Sequence, residues 1–188
     1  CRLCRFRRQQ PIVSTAVQAG PAGPDVRVRA TPQPDTRIVA DGKFLRAGGK
    51  RFLVKGVTYG TFAPDADRYQ FPSPKQVAED FRLMAGLGIN AVRTYTPPRP
   101  DLLDEAARNG LCVMVGLPWS QHVAFLDDRR LARNIRQAIV RQVAELSQHP
   151  AVLTFALGNE IPAGVVRWHG RVRIENFLRD LYHAAKAS

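Results

Sequence analysis

Nothing in the 188-residue sequence approaches the roughly 18 to 20 uninterrupted apolar residues that a membrane-spanning helix requires. The basic start, with Arg2, Arg5, Arg7 and Arg8, is followed by no short apolar run of the kind a secretory leader carries. A cytoplasmic location is therefore one expectation, and the sequence leaves others open. Cysteine is scarce: Cys1 and Cys4 form one CxxC, Cys112 stands alone, and no second pair completes a tetrahedral zinc site. Neither a metal nor a cofactor is expected. Cys112, inside the apolar stretch 111–117, reads as a small buried thiol in a reducing compartment. No GxGxxG follows a strand-like run and no Walker loop occurs, so common nucleotide-binding signatures are missing. Acidic residues are few, 16 against 28 Lys and Arg, for a formal charge of +12. Such a surplus favours a polyanionic partner when the cations share one surface. Here, beyond the N-terminus, they are interleaved with aliphatic residues, as in 129–141, and read as solvated helix faces. Nucleic acid is not an expected partner.

What is present is the composition of one ordinary globular core, 45% hydrophobic and 23% charged. Residues 1–36 hold Pro11, Pro21, Pro24, Pro32 and Pro34 without any sustained period, and read as a disordered, basic, Pro-rich segment. Cys1 stands where an initiator Met would be, so the chain is expected to be a fragment at its front end. From residue 37 the pattern changes. Segments 37–40 and 43–45 flank Asp41-Gly42, a hairpin signal, and a second turn at Gly48-Gly49 leads into 52–59, the first expected buried strand. Ser73, Pro74 and Gln76 then announce a helix, by a cap, a favoured first position and a capping box, with Val77, Phe81 and Met84 at helical spacing. Gly88 closes that helix, and 89–96 is the second strand. A short helix over 100–109, a strand over 111–117, a long helix over 127–148, a strand over 151–157 and a helix over 170–187 follow.

Strand and helix thus alternate four times, which implies an α/β fold with a parallel sheet. A doubly wound open sheet and part of an eight-fold barrel both fit. In either, chemistry gathers at the carboxyl ends of the strands. Those ends carry Tyr59, then Arg93 and Tyr95, then Trp119 with His122 beyond, then Asn159 and Glu160. Glu160 follows the apolar run 152–157, which sets a carboxylate at the mouth of the fold, where shielding can raise its pKa enough to protonate a leaving oxygen. The bland alternative is a Glu that caps the next helix or pairs with an Arg. Arg93 can hold an anionic group or make an ordinary salt bridge. Tyr59, Tyr95, Trp119 and Trp168 can face sugar rings or simply pack, and His122 can donate to a sugar hydroxyl.

The strings FLVKGVTYGTF, EDFRLMAGLGINAVRTYTPP, LLDEAARNGLCVMVGLPW and HPAVLTFALGNEIP together resemble the (β/α)8-barrel clan of retaining glycosidases, most closely the β-galactosidase and β-glucuronidase type. The resemblance implies a partial (β/α)8 TIM barrel over 37–188, preceded by the hairpin. It further implies that Glu160 is the acid/base residue, that Asn159 binds a sugar 2-hydroxyl, and that Arg93 helps hold the nucleophile. Tyr59, Tyr95, Trp119 and His122 would line the sugar site, and the partner would be a β-glucan or β-galactoside-like carbohydrate. The sequence also resembles bacterial barrels joined to glycosyltransferase domains.

A full barrel needs about 250 residues and eight strands, and the clan's nucleophilic Glu ends the seventh. Asp65, Asp67, Asp127 and Asp128 lie in loops or at a helix start and match no such position. The expectation is an incomplete site, inactive alone, completed by self-association or by a complementary half-barrel. The rival reading is a non-catalytic carbohydrate-binding or accessory domain of a glycosyltransferase.

Overall fold

The structure is a computed structural model that describes residues 37–188, so the expectation for 1–36 lies outside the described residues. Three short strands open it, β1 (Val39–Asp41), β2 (Phe44–Ala47) and β3 (Lys50–Phe52), paired antiparallel in that order. Pairing of Asp41 with Phe44 puts Gly42-Lys43 at the centre of the first turn, one residue later than Asp41-Gly42 suggests. Gly42 has φ 58° there, a conformation open to Gly at little cost. The second turn holds Gly48 and Gly49 as expected.

The run expected as one strand over 52–59 is divided. Phe52 ends β3, and β4 (Gly56–Thr58) begins a second sheet. Asn90 pins the link between them, its carboxamide accepting from the Lys55 N–H at 2.7 Å and donating to the Leu53 carbonyl at 2.8 Å. Thereafter strands and helices alternate as the sequence implies: α1 (Pro74–Gly86), β5 (Ala91–Thr94), α2 (Pro100–Arg108), β6 (Cys112–Gly116), α3 (Arg129–Leu146), β7 (Val152–Ala156) and α5 (Arg171–Lys186). A short α4 (Ala163–His169) intervenes before α5 and was not expected. Ser73 caps α1 by accepting from the Gln76 N–H, but the Gln76 carboxamide turns to Asp80 at 2.8 Å, so the capping box is only half made. Asp128 caps α3, whose Ile135, Ile139, Val143 and Leu146 form its buried stripe.

The second sheet runs β4-β5-β6-β7, all parallel. A doubly wound sheet reverses its strand order partway; this one never does, and right-handed crossovers that always step the same way place every helix on one face. The architecture is therefore a partial TIM barrel. Between sheet and helices lies a closed core in which Phe81, Leu103, Leu181, Val113 and Val115 are fully buried. Each such side chain contributes about 1.5–3 kcal/mol relative to exposure.

The other face is the barrel interior, and register decides what points there. Thr58, Arg93, Met114 and Thr154 stand opposite one another across the four strands. A shift in the β6–β7 ladder after Val113 brings Met114 opposite Thr154 and re-aims β7, as bulges do.

Tyr59, one residue past Thr58, consequently points the other way. Expected at the mouth of the fold, it is a core residue, 4% exposed, packed against Phe62, Phe71 and Phe81. Its hydroxyl donates to the Asp80 carboxylate at 2.7 Å, and burial, reinforced by Asp80, raises its pKa. Cys112 is buried as expected, and burial pushes its thiol up to about 11.

Two stability predictions follow from these contacts. A Cβ on Gly116 would sit 2.6 Å from the carbonyl oxygens of both Thr94 and Tyr95, whereas one on Gly86 would meet nothing within 4 Å. Gly116→Ala is expected to cost about 1–3 kcal/mol and Gly86→Ala to be neutral or stabilising by up to about 1 kcal/mol; urea midpoints in the opposite order would refute the packing. Tyr59→Phe should lose about 1–2 kcal/mol, read in the same denaturation, because it strips a part-buried carboxylate of one of its two donors; an unchanged midpoint would show that the bond contributes nothing.

Candidate active site

At the carboxyl ends of β5, β6 and β7 the ladder of backbone hydrogen bonds runs out, and side chains take over. Its last rung is the Leu117 N–H to the Ala156 carbonyl, at 3.0 Å. Pro118 follows and has no N–H to give. The chain past β6 then folds back, with the Gln121 N–H donating to the Trp119 carbonyl at 2.7 Å. From this loop the Trp119 indole N–H reaches the Leu157 carbonyl at 2.6 Å. The Gln121 carboxamide accepts from the Asn159 N–H at 2.9 Å and donates to the Asn159 carbonyl. Residues 157–159 are thereby tied to β6 beyond the point where strand pairing ends.

Asn159 is held at its other end by Arg93. The Arg93 Nη2 donates to Asn159 Oδ1 at 2.6 Å. The two residues belong to β5 and to the end of β7, which are not neighbours in the sheet. Their link therefore passes over the end of β6. Oδ1 accepts one bond from Arg93, and the carboxamide nitrogen of Asn159, with no partner among the described residues, can donate to a ligand. The Arg93 guanidinium lies 4.8 Å from the centre of the Tyr95 ring, in cation–π contact, and its Nε is buried without a hydrogen-bond partner among the described residues.

These groups surround a depression of about 200 Å³ lined by Arg93, Tyr95, Trp119, Gln121, His122 and Asn159 among others. The structure thus brings five of the expected residues together, Arg93, Tyr95, Trp119, His122 and Asn159. Tyr95 is half-buried and His122 exposed. Trp119 is braced edge-on against Phe125 and Phe177, so part of its ring serves the core. Glu160 stands exposed next to Asn159 with φ 51°, a left-handed backbone that a residue with a Cβ adopts at a cost of about 1–2 kcal/mol. Trp168, on α4, is 71% exposed and donates to Asp127 at 2.6 Å, away from the depression.

The loop carboxylates have other partners. Asp65 accepts from the Asp67 and Tyr69 N–H groups, Asp128 caps α3, and Asp127 lies 3.5 Å from the fully buried His169. None of them lines the depression. Gln121 is the residue that sequence reasoning missed, since a glutamine working through backbone groups leaves no pattern; its neighbour His122 drew the attention. Among the described residues no cluster of His, Cys, Asp and Glu is arranged to hold a metal ion, and no helix is long and apolar enough to cross a membrane.

Solved structures share this fold. β-Glucuronidase from Bifidobacterium dentium, in complex with coumarin-3-O-glucuronide, superposes with a TM-score of 0.63 at 19% identity over 81% of this chain and 24% of its own. Faecalibacterium prausnitzii β-glucuronidase gives 0.59 at 22% identity, over 80% and 25% respectively. An exo-β-1,4-mannosidase from an Opitutaceae bacterium gives 0.59 at 18%, over 74% and 30%. The chain spans about a quarter of the length of the two glucuronidases. By sequence alone no curated protein matches it. Residues 38–186 match the glycosyl hydrolases family 2 TIM barrel domain, and the chain belongs to that family.

Proposed function

We propose that the chain carries the acid/base half of a retaining β-glycosidase site, with Glu160 as proton donor and acceptor, Asn159 and Arg93 as its partners, and the depression at Trp119 and His122 as the place of the sugar. The single observation that carries this reading is the bond between Arg93 and Asn159, which ties the end of the second parallel strand to the end of the fourth over one mouth. Strand-end residues from non-adjacent strands converge in this way where a barrel does chemistry.

Retaining hydrolysis uses two carboxyl groups roughly 5–5.5 Å apart. One attacks the anomeric carbon while the other gives its proton to the departing glycosidic oxygen, leaving a glycosyl ester. The second group then takes a proton from water, whose oxygen displaces the ester and restores both carboxyls. Glu160 suits the proton-transfer role because it directly follows Asn159, whose carboxamide nitrogen has no hydrogen-bond partner among the described residues, and because it is open to solvent for the second step. The attacking carboxylate is proposed to come from outside the described residues, since none of the loop aspartates lines the depression. Arg93 has a place for it: its buried Nε lacks a partner among the described residues, and a carboxylate there would be held ionised.

The barrel interior beside β4 and β7 supports the same view. A cavity of about 620 Å³ opens on it, lined by Thr58, Arg93, Met114 and Thr154 among others. Thr58 on β4 and Thr154 on β7 are exposed there, and further strands, from a second copy or a complementary half-barrel, are the proposed cover. The substrate proposed is a β-linked pyranoside, the class to which the glucuronides and mannosides named for the neighbouring structures belong. The rival reading, a carbohydrate-binding or accessory domain that breaks no bond, draws on one observation, that among the described residues no carboxylate lines the depression.

The test is hydrolysis of 4-nitrophenyl β-glycosides. The 188-residue chain as a monomer is expected to give no turnover, and the chain supplied with four further β/α units is expected to turn over. Glu160→Gln should then lower kcat by about 10²–10⁴. Turnover by the monomer, or turnover indifferent to Glu160→Gln, would overturn the proposal. Glycoside binding without hydrolysis by the completed barrel would establish the rival.

A further inference from the structure

We propose that Gln121 is a positioning residue for this site, resting on the reading of Asn159 and Glu160 given above: its carboxamide acts as the missing strand partner that holds residues 157–159 extended and delivers the Asn159 and Glu160 side chains to the rim. The backbone of β7 needs such a partner. Beyond Ala156 its N–H and C=O groups face the side that β6 occupied, but β6 has ended at Gly116 and Pro118 brings no donor. A half-buried amide left without a partner costs about 1–3 kcal/mol, and a segment so placed would curl or fray.

A carboxamide presents one donor and one acceptor side by side, the same pair that a backbone N–H and C=O of one residue present in an antiparallel rung. Gln121 meets both groups of Asn159 in that way. The side chain is 7% exposed, so water is a poor competitor for these bonds. Two residues earlier in the loop, Trp119 supplies one donor to the Leu157 carbonyl. The spacing of two in the loop therefore matches the spacing of two along the extended strand, whose alternate residues face the same side.

The consequence for the site is directional. With both backbone groups of Asn159 fixed by Gln121 and its Oδ1 fixed by Arg93, the carboxamide nitrogen has one orientation left. Glu160, the next residue, takes φ 51°, and that left-handed turn is maintained only if the residue before it is anchored. Gln121 lines the depression, and in this contact it acts on the site through Asn159. Asparagine is too short to reach, and leucine keeps the volume while removing both bonds.

Amide hydrogen exchange in the 188-residue protein tests this, with Gln121→Leu and Gln121→Glu as the variants. In Gln121→Leu the Asn159 amide is expected to exchange at least about 10-fold faster than in the parent, a change worth about 1.4 kcal/mol at 25 °C, while the Leu117 amide on the last ladder rung changes less than about threefold. Gln121→Glu keeps the acceptor and should restore most of the Asn159 protection while leaving the Asn159 carbonyl without its donor, a rescue that loss of packing does not produce. Equal acceleration at Leu117 and Asn159, unchanged exchange at Asn159, or absence of rescue by Gln121→Glu overturns the proposal. In the same samples, titration with methyl β-D-glucuronide is followed on the Asn159 side-chain NH2 signals. A parent protein in which these do not move counts against the sugar site alone, because the exchange result stands without it.

Discussion

The parallel register of four strands is the constraint on which everything polar in this molecule depends. Because Thr58, Arg93, Met114 and Thr154 stand opposite one another, Arg93 faces the barrel interior and can reach across β6 to Asn159. A slip of one residue would turn Arg93 into the helix layer, where its charge would be buried without a partner, and bring Val92 or Thr94 to the interior in its place. The apolar residues on the other face, Val92, Val113 and Val115, resist that slip, each being buried under the helices. The energy that holds the site together is therefore mostly hydrophobic and located on the face away from it.

At the rim, strand pairing gives way to side chains. Pro118 ends the donors of β6, and Trp119 and Gln121 replace them with an indole N–H and a carboxamide. This substitution lets the loop leave the sheet to form the depression while 157–159 continues straight toward Glu160. It also explains why Trp119 serves two purposes, since its ring is braced by Phe125 and Phe177 and its N–H is committed to Leu157. Any sugar-facing role is left to the part of the ring that lines the depression.

Much of this was readable in advance, for physical reasons. The α3 stripe of Ile135, Ile139 and Val143, the Ser73 cap and the apolar strand runs after residue 88 are local signals with fixed periods, and the structure carries them within a residue or two. Glu160 and Asn159 could be placed at a strand end because nothing apolar follows Leu157 until Ile161. What escaped was set by non-local geometry. Tyr59 lies one residue from Thr58, and only the pairing of Thr58 with Arg93 reveals that its ring belongs to the core. The hairpin turn was misplaced by one residue because Asp41-Gly42 and Gly42-Lys43 are equally plausible until β1 and β2 are paired. Helix α4 is seven residues long, too short for a periodic pattern. Gln121 bonds to backbone groups 38 residues away, a contact that leaves no trace in sequence.

The claim that Arg93 and Asn159 meet over one mouth is tested most directly by a double-mutant cycle on folding stability, using Arg93→Met, Asn159→Ala and the pair. The account predicts a coupling energy of about 0.5–3 kcal/mol, as for groups sharing a hydrogen bond. Effects that add to within about 0.3–0.5 kcal/mol, the behaviour of sites that do not touch, would contradict it, and with it the convergence of the second and fourth strand ends.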